Sequence, residues 1–448
     1  MEWEQLLSTQ RFKVKDRQVQ HAFTESTREG IAVLRSDFLI DYDRVVFSSS
    51  FRRLGRKTQV HPFAECAHTH NRLSHSIEVA SVGRSMGNQL GVMLVDELPG
   101  SVTPTDLGSI VQVACLAHDI GNPPFGHAGE EALRAWFRAP ENERYLNGLG
   151  QKERQDLQTY EGNAHTIRIV TNLEMYKGAG GMRLSSACLG SLIKYPWTSS
   201  SEKGQRKFNF YQTELPLIES VFEELRLKQI APQVWARHPL SYLMEAADDI
   251  CYALLDLEDG VDLGFITEQD VEEILNPIIN EVLYRAGLSP MQYCKMLRGK
   301  AIGNAVKEVV HTFVRHKKAI MNGEFPAKDL LTVCCQSISE GIETAKQMAR
   351  ERIFTHSSKL MAEIAVFPCL GSILSVLIPA AFEFVVLERK NELRIQHNLA
   401  LKLLKEDPLT VEDTLYTAYM KVLDYVGGLT DDGAAKLARE LSGIAMIK

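Results

Sequence analysis

The chain has no Cys-x-x-Cys spacing. Its eight cysteines are scattered over 448 residues at 66, 115, 188, 251, 294, 334, 335 and 369, so neither a zinc module nor a disulfide framework can be read from them. Most fall in apolar segments and read as reduced, buried thiols, the pattern of a cytoplasmic protein. There is no excess of positive charge either. The net charge of −7 gives no general basic footprint for nucleic acid, though a local basic groove stays open. No GxxxxGK[ST] string occurs, which excludes a P-loop NTPase. No apolar run approaches the ~20 residues a bilayer span needs, so no membrane association is expected. The N-terminal "MEWEQLLSTQRFKVKDR" is charged and lacks the apolar core of a signal peptide. Strand-like alternation is scarce.

What is present is helical periodicity. Apolar residues recur at helical spacing over 71–90, 106–119, 128–138, 163–175, 184–194, 215–227, 239–258 and 268–286. The pattern continues over 303–320, 327–350, 357–366, 370–387, 389–405, 410–426 and 431–442. Short hairpins are expected only near 57–63 and 207–214. The polar stretch 139–162 and the Ser, Lys and Gly-rich 195–206 read as loops, the second as a mobile one. The expected fold class is therefore all-α. An N-terminal segment, 1–50, packs on a core, 51–263, and a helical region, 264–448, completes the molecule.

One stretch does not suit a plain core helix. "ACLAHDIGNPPFGHAGEEAL", 114–133, carries two histidines and three acids around a double proline. Adjacent residues on a helix point about 100° apart, so His118 and Asp119 can converge on one ion only near a helix end. The Gly121-Asn122-Pro123-Pro124 turn supplies that end. His and Asp are ligands for Mn, Mg, Fe or Zn alike. Further ligands must come from elsewhere. His75 lies on a helix with Leu73, Ile77 and Val79, while Asp248, Tyr252 and Asp256 share a helix face at i, i+4 and i+8. Spacing alone leaves Asp249 as the alternative inward acid, leaves Asp256 free to pair with a Lys or Arg, and leaves "HTH" at 68–70 as a competing histidine pair.

The order His75, His118-Asp119, Asp248 matches the H…HD…D pattern of HD-domain metal-dependent phosphohydrolases. The strings "FRRLGRKTQV" (51–60), "NRLSHSIEV" (71–79), "HDIGNPPFGHAGE" (118–130), "EGNAHTIRI" (161–169), "KYPW" (194–197) and "EAADDICYALLDLEDG" (245–260) closely resemble the deoxyguanosinetriphosphate triphosphohydrolase-like group, with a weaker echo at "DYVGGLTDDGA" (424–434). The chain departs from that group in "TDDGA" (430–434), where it often has TDRYA, and at Asn209, where it often has Gly.

The resemblance implies an HD-domain helical core and hydrolysis of a deoxynucleoside triphosphate to deoxynucleoside and inorganic triphosphate. It implies a divalent ion, Mn or Mg foremost, with Fe, Co, Ni and Zn as alternatives. It implies a homo-oligomer, often a hexamer, and leaves single-stranded DNA as a candidate partner. By position, His75, His118, Asp119 and Asp248 would be metal ligands, and His127 with Glu130 the catalytic pair. Arg72 and Asn122 would lie at the phosphates, and Gln59, Tyr252 and Asp256 at the deoxyribose.

The chemistry agrees. A triphosphate ester needs cationic groups against its charge, such as a divalent ion and Arg72. Its 5′-oxygen needs a proton on leaving, which His127 could supply. Glu130, three residues on, would share a helix side with His127 and orient it. Lys194, Tyr195 and Lys207 flank the 195–206 loop and are placed to close over phosphates.

Overall fold

The computed structural model describes residues 1–22, 35–58, 71–204, 206–281, 283–285, 287–354, 357–386 and 393–443. The fold is all-α, with two small hairpins among the described residues. Helix Arg72–Met93 opens with a capping box, in which Asn71 accepts from the Ser74 amide at 2.9 Å and Ser74 Oγ accepts from the Asn71 amide. Helix Pro104–Ala117 opens with Thr103 and Asp106 in the same arrangement, and Pro104 stands where its missing N–H costs nothing.

These two helices run antiparallel along a seam of glycines. A Cβ placed on Gly83 would lie 2.5 Å from Cys115 Sγ, on Gly87 2.7 Å from Gly108 Cα, and on Gly91 2.6 Å from Pro104 Cα. Any side chain at these positions would force the helices apart. Their close approach brings the beginning of the first helix, at His75, beside the end of the second, at His118.

Two large hydrophobic cores result among the described residues. The larger joins these helices to Ser241–Asp262 and Pro290–Met321 through residues such as Met86, Ile110, Ile250 and Phe313. The second joins Gly126–Arg138, Ser357–Val386 and Leu415–Gly427 through Leu133, Phe137, Leu374 and Tyr419. Full burial of each such side chain contributes roughly 1.5–3 kcal/mol. The Gly121–Phe125 turn carries the chain from one core to the other. Phe125 takes left-handed backbone angles, φ 64°, at a cost of about 1–2 kcal/mol for a residue with a Cβ.

Several expectations are corrected. The 139–162 stretch is not a loop: it forms a short 3-10 segment, Pro140–Leu146, and helix Gln151–Gln158. The described residues of 195–206 are irregular but anchored, with Thr198 and Ser199 fully buried and Ser199 hydrogen-bonded to Asp156. Residues 207–214 form no hairpin, and Phe210 makes a single bridge to Thr198. Of 57–63, positions 59–63 lie outside the described residues, and Thr58 bridges Asn71. The hairpins are instead Arg11–Lys15 with Gln18–Ala22, and Gln229–Ala231 with Val234–Trp235. In the first, Asp16 and Arg17 both have positive φ, 51° and 62°, the turn that follows strand twist.

The helix expected at 303–320 is the longer Pro290–Met321. The two helices expected at 357–366 and 370–387 are one, Ser357–Val386, with Pro368 and Pro379 inside it. That helix also overturns the expectation that no apolar run approaches bilayer-spanning length. Lys359–Val386 is long and apolar enough to cross a membrane by length and composition alone, with mean hydropathy 2.2. Here it is built into the second core, and its Ser375 accepts from Trp136 Nε1 at 2.9 Å.

Candidate active site

A cleft of about 300 Å³ opens where the two cores meet. The larger core supplies one wall. His75 Nε2 lies 3.2 Å and His118 Nε2 3.5 Å from Asp248 Oδ1. These three donor atoms all lie within 4.8 Å of one another. His118 caps its helix, and its Nδ1 donates to the Cys115 carbonyl at 2.6 Å. In the neutral ring that bond leaves the Nε2 lone pair facing inward.

Asp119 stands beside the cluster, with Oδ1 3.6 Å from His118 Nε2. Its Oδ2 accepts from Arg72 Nη1 at 2.7 Å, and its Oδ1 accepts from Asn122 Nδ2. A Cβ on Gly126 would meet Arg72 Nη2 at 2.4 Å, so glycine there makes room for the guanidinium.

The electrostatics favour a cation in this corner. Burial opposes charge on His118, yet Asp119 and Asp248 hold its proton up to about 9. Burial likewise opposes charge on Asp248, and His118 and His75 nevertheless keep it well below the usual carboxylate range. Asp119 is held down to about 2, against burial, by Arg72 and His118. Two imidazoles and a carboxylate, in a field that binds a proton this tightly, fit a divalent first-row ion.

The second core supplies the facing wall. Helix Gly126–Arg138 places His127 and Glu130 on one side, with His127 Nδ1 3.0 Å from Glu130 Oε2. The His127 side chain is 81% exposed and the Glu130 side chain 2%, so the imidazole reaches the cleft while the carboxylate is fixed behind it. Glu130 Oε1 accepts from the Gly162 amide at 2.7 Å. Despite burial, His127, Lys207 and Arg134 hold Glu130 down to about 2. Lys207 Nζ lies 3.0 Å from Glu161 Oε1 and 3.8 Å from Glu130 Oε2.

Lys194, Tyr195 and Tyr252 also line the cleft. Lys194 sits 3.3 Å from Glu245, and although burial opposes its charge, that carboxylate raises its ammonium. Asn209 fixes this side by accepting from the Tyr195 amide at 2.6 Å and donating to the Asn163 carbonyl at 3.2 Å. Tyr252 packs 5.9 Å from the Phe354 ring, and burial followed by Asp256 and Asp248 raises its phenol. Asp256 is buried one turn further along the helix, behind the lining. The Asp248 and Asp249 alternatives separate: Asp249 lies 3.1 Å from Lys346. Gln59 and the histidines at 68 and 70 lie outside the described residues.

Sequence reasoning missed Thr58, Asn163, Phe354, Lys359 and Glu363, all of which line the cleft. Lys359 lies 3.7 Å from Glu363, and its ammonium sits 3.9 Å from the centre of the Phe354 ring. No local pattern marks Phe354, Lys359 and Glu363, which come from a part of the chain remote from the histidines, whereas Thr58 and Asn163 lie within the strings 51–60 and 161–169.

This helical fold, with a His, His-Asp and Asp set lining the cleft, defines an HD-domain phosphohydrolase. The HD domain family model matches residues 72–185. The chain is 42% identical to a deoxyguanosinetriphosphate triphosphohydrolase-like protein of Pseudomonas aeruginosa, over 91% of this chain and 94% of that one. It is 36% identical to a protein of the same name from Synechocystis sp., over 100% of both chains. It is 27% identical to the deoxyguanosinetriphosphate triphosphohydrolase of Yersinia pseudotuberculosis, over 88% of this chain and 91% of that one. The chain belongs to the deoxyguanosinetriphosphate triphosphohydrolase-like family.

Proposed function

We propose that the protein hydrolyses deoxynucleoside triphosphates to deoxynucleoside and inorganic triphosphate. The observation that carries this reading is the placement of His127, backed by the ionised Glu130, on the wall opposite His75, His118 and Asp248. A phosphate ester between the two walls would meet an electrophilic side and a proton donor at once.

In this reading His75, His118, Asp119 and Asp248 hold a divalent ion, manganese or magnesium foremost. Such an ion supplies charge neutralisation at the α-phosphoryl group and acidifies water. Arg72, Lys194 and Lys207 receive the phosphates, and Asn122 acts through Asp119, which its side-chain amide holds. His127 gives a proton to the leaving 5′-oxygen, with Glu130 keeping the imidazole oriented. Tyr252 closes the space of a 2′-hydroxyl, with Asp256 behind it and Gln59 as the further sugar contact. The region 264–448 completes the substrate pocket, a reading supported by the cleft positions of Phe354, Lys359 and Glu363, and supplies contacts between subunits of a homo-oligomer. The free cysteines among the described residues suit a cytoplasmic site of action.

The test is product analysis by anion exchange, with each of the four dNTPs singly and mixed, in Mg²⁺ and in Mn²⁺. Triphosphate as the sole inorganic product supports the reading. Monophosphate would instead indicate another HD phosphoesterase, and no turnover would indicate a nucleotide sensor or single-stranded-DNA-binding protein.

A further inference from the structure

The turn between the two catalytic walls is gripped at both ends by residues that do not belong to either wall. Asp431 is the first residue of helix Asp431–Leu441 and is buried. Its Oδ1 accepts from the Phe125 amide at 2.9 Å. Its Oδ2 accepts from the Thr58 amide at 2.9 Å and from the Thr58 hydroxyl. Phe125 is the residue in left-handed backbone conformation that starts the His127 helix. At the other end, the buried Lys57 Nζ donates to the carbonyl of Asn122 at 2.5 Å and to that of Gly427 at 2.7 Å. Asn122 in turn donates to Asp119. Thus two residues adjacent to Thr58 in space or sequence tie the C-terminal segment 427–431 to both ends of one short turn.

We propose that Lys57 and Asp431 are positioning residues, which hold the Asn122–Phe125 turn and thereby fix His127 and Glu130 relative to His118 and Asp119. Burial matters here. A carboxylate accepting three hydrogen bonds away from water has no alternative partner to move to, so the turn is held in one geometry rather than several. The two grips act on different walls. Asp431 acts on the backbone that launches the His127 helix, and Lys57 acts on the residue that steadies Asp119. Misplacing a reacting group by about 1 Å costs up to about a hundredfold in rate.

The inference rests on the hydrolytic reading for its kinetic arm but not for its metal arm. Asp431→Asn and Lys57→Met are compared with wild type by Mn²⁺ affinity, from chelator competition without nucleotide, and by steady-state kinetics on a dNTP. Asp431→Asn is expected to lower kcat at least about tenfold with KM and Mn²⁺ affinity unchanged. Lys57→Met is expected to weaken Mn²⁺ binding severalfold. Folded variants with wild-type kcat and wild-type Mn²⁺ affinity overturn the proposal. If wild type turns over no dNTP, the hydrolytic reading fails while the Mn²⁺ arm still decides the role of Lys57. If Asp431→Asn does not fold, hydrogen exchange of the Phe125 amide in wild type decides for Asp431. Exchange as slow as that of the core helices supports the grip, and exchange as fast as that of an open loop overturns it.

Discussion

His127 Nδ1 lies 3.0 Å from Glu130 Oε2, while the other Glu130 oxygen accepts the Gly162 amide. One carboxylate thus fixes an exposed imidazole to a buried backbone position. Because Glu130 stays ionised down to about 2, its carboxylate is available to orient the imidazole throughout the working pH range. His127→Ala is expected to lower kcat by ~10²–10⁴-fold while leaving Mn²⁺ stoichiometry at the wild-type value. Steady-state kinetics and elemental analysis on the same preparation check both halves, and a near-normal kcat would remove the proton-donor role.

The adjacent acids Asp248 and Asp249 give a sharper test of the metal set. Asp248 faces both histidines, whereas Asp249 faces Lys346. Asp248→Asn is expected to abolish metal binding and turnover with the helical circular dichroism retained. Asp249→Asn is expected to keep metal and most activity. Reversal of that ranking would show that the wrong carboxylate has been assigned.

Tyr252 and Phe354 stack obliquely on the cleft wall. Admitting a 2′-hydroxyl beside a packed ring means a clash or an unpaired polar group, a cost of ~1–3 kcal/mol. Wild type should therefore prefer a dNTP over its ribonucleotide by at least about tenfold, since ~1.4 kcal/mol is one decade. Tyr252→Ala should narrow that ratio at some loss of overall activity. Matched kcat/KM values decide, and an unchanged ratio would move sugar selection to Gln59 and Asp256.

The His118-Asp119 pair was legible because local chemistry announced it: two ligands, a helix end and a double proline within a few residues. The spacing of Asp248, Tyr252 and Asp256 likewise placed an acid inward, although only the structure separated Asp248 from Asp249. The C-terminal part of the lining was not legible. Lys359 and Glu363 reach the cleft on helix Ser357–Val386, which packs against Gly126–Arg138, and Phe354 follows the preceding segment Ala349–Ile353, an arrangement with no local signature. Helix Gln151–Gln158 was misread because its sequence, QKERQDLQ, has one apolar residue and so no periodicity to register. The Asp16-Arg17 hairpin lacks the Gly that usually marks such a turn. The Gly83, Gly87 and Gly91 spacing was present in the sequence and would have indicated a close helix pair.

The buried carboxyl of Asp156 offers a prediction about stability. Burial pushes it up to about 7 from an ordinary 3.8, although Ser199, Tyr416 and the Gln212 amide donate to it. A carboxyl whose folded value is raised binds its proton more tightly folded than unfolded. Its contribution is fully present below the unfolded value and is lost as pH rises through the folded one. The window here runs from about 4 to about 7, so stability should fall with rising pH across it. Asp156→Asn mimics the protonated form. Its oxygen can take the Gln212 amide and Tyr416 hydroxyl bonds that Oδ2 accepts now, and its NH₂ can donate to Ser199 once that hydroxyl rotates. The variant should match wild type below about pH 4, where the carboxyl is protonated in both states, be the more stable protein at pH 8, and show a flatter decline between. Melting temperatures of both proteins at the two pH values check this. A variant less stable than wild type at pH 8 would mean that Asp156 is held as a carboxylate in the native fold.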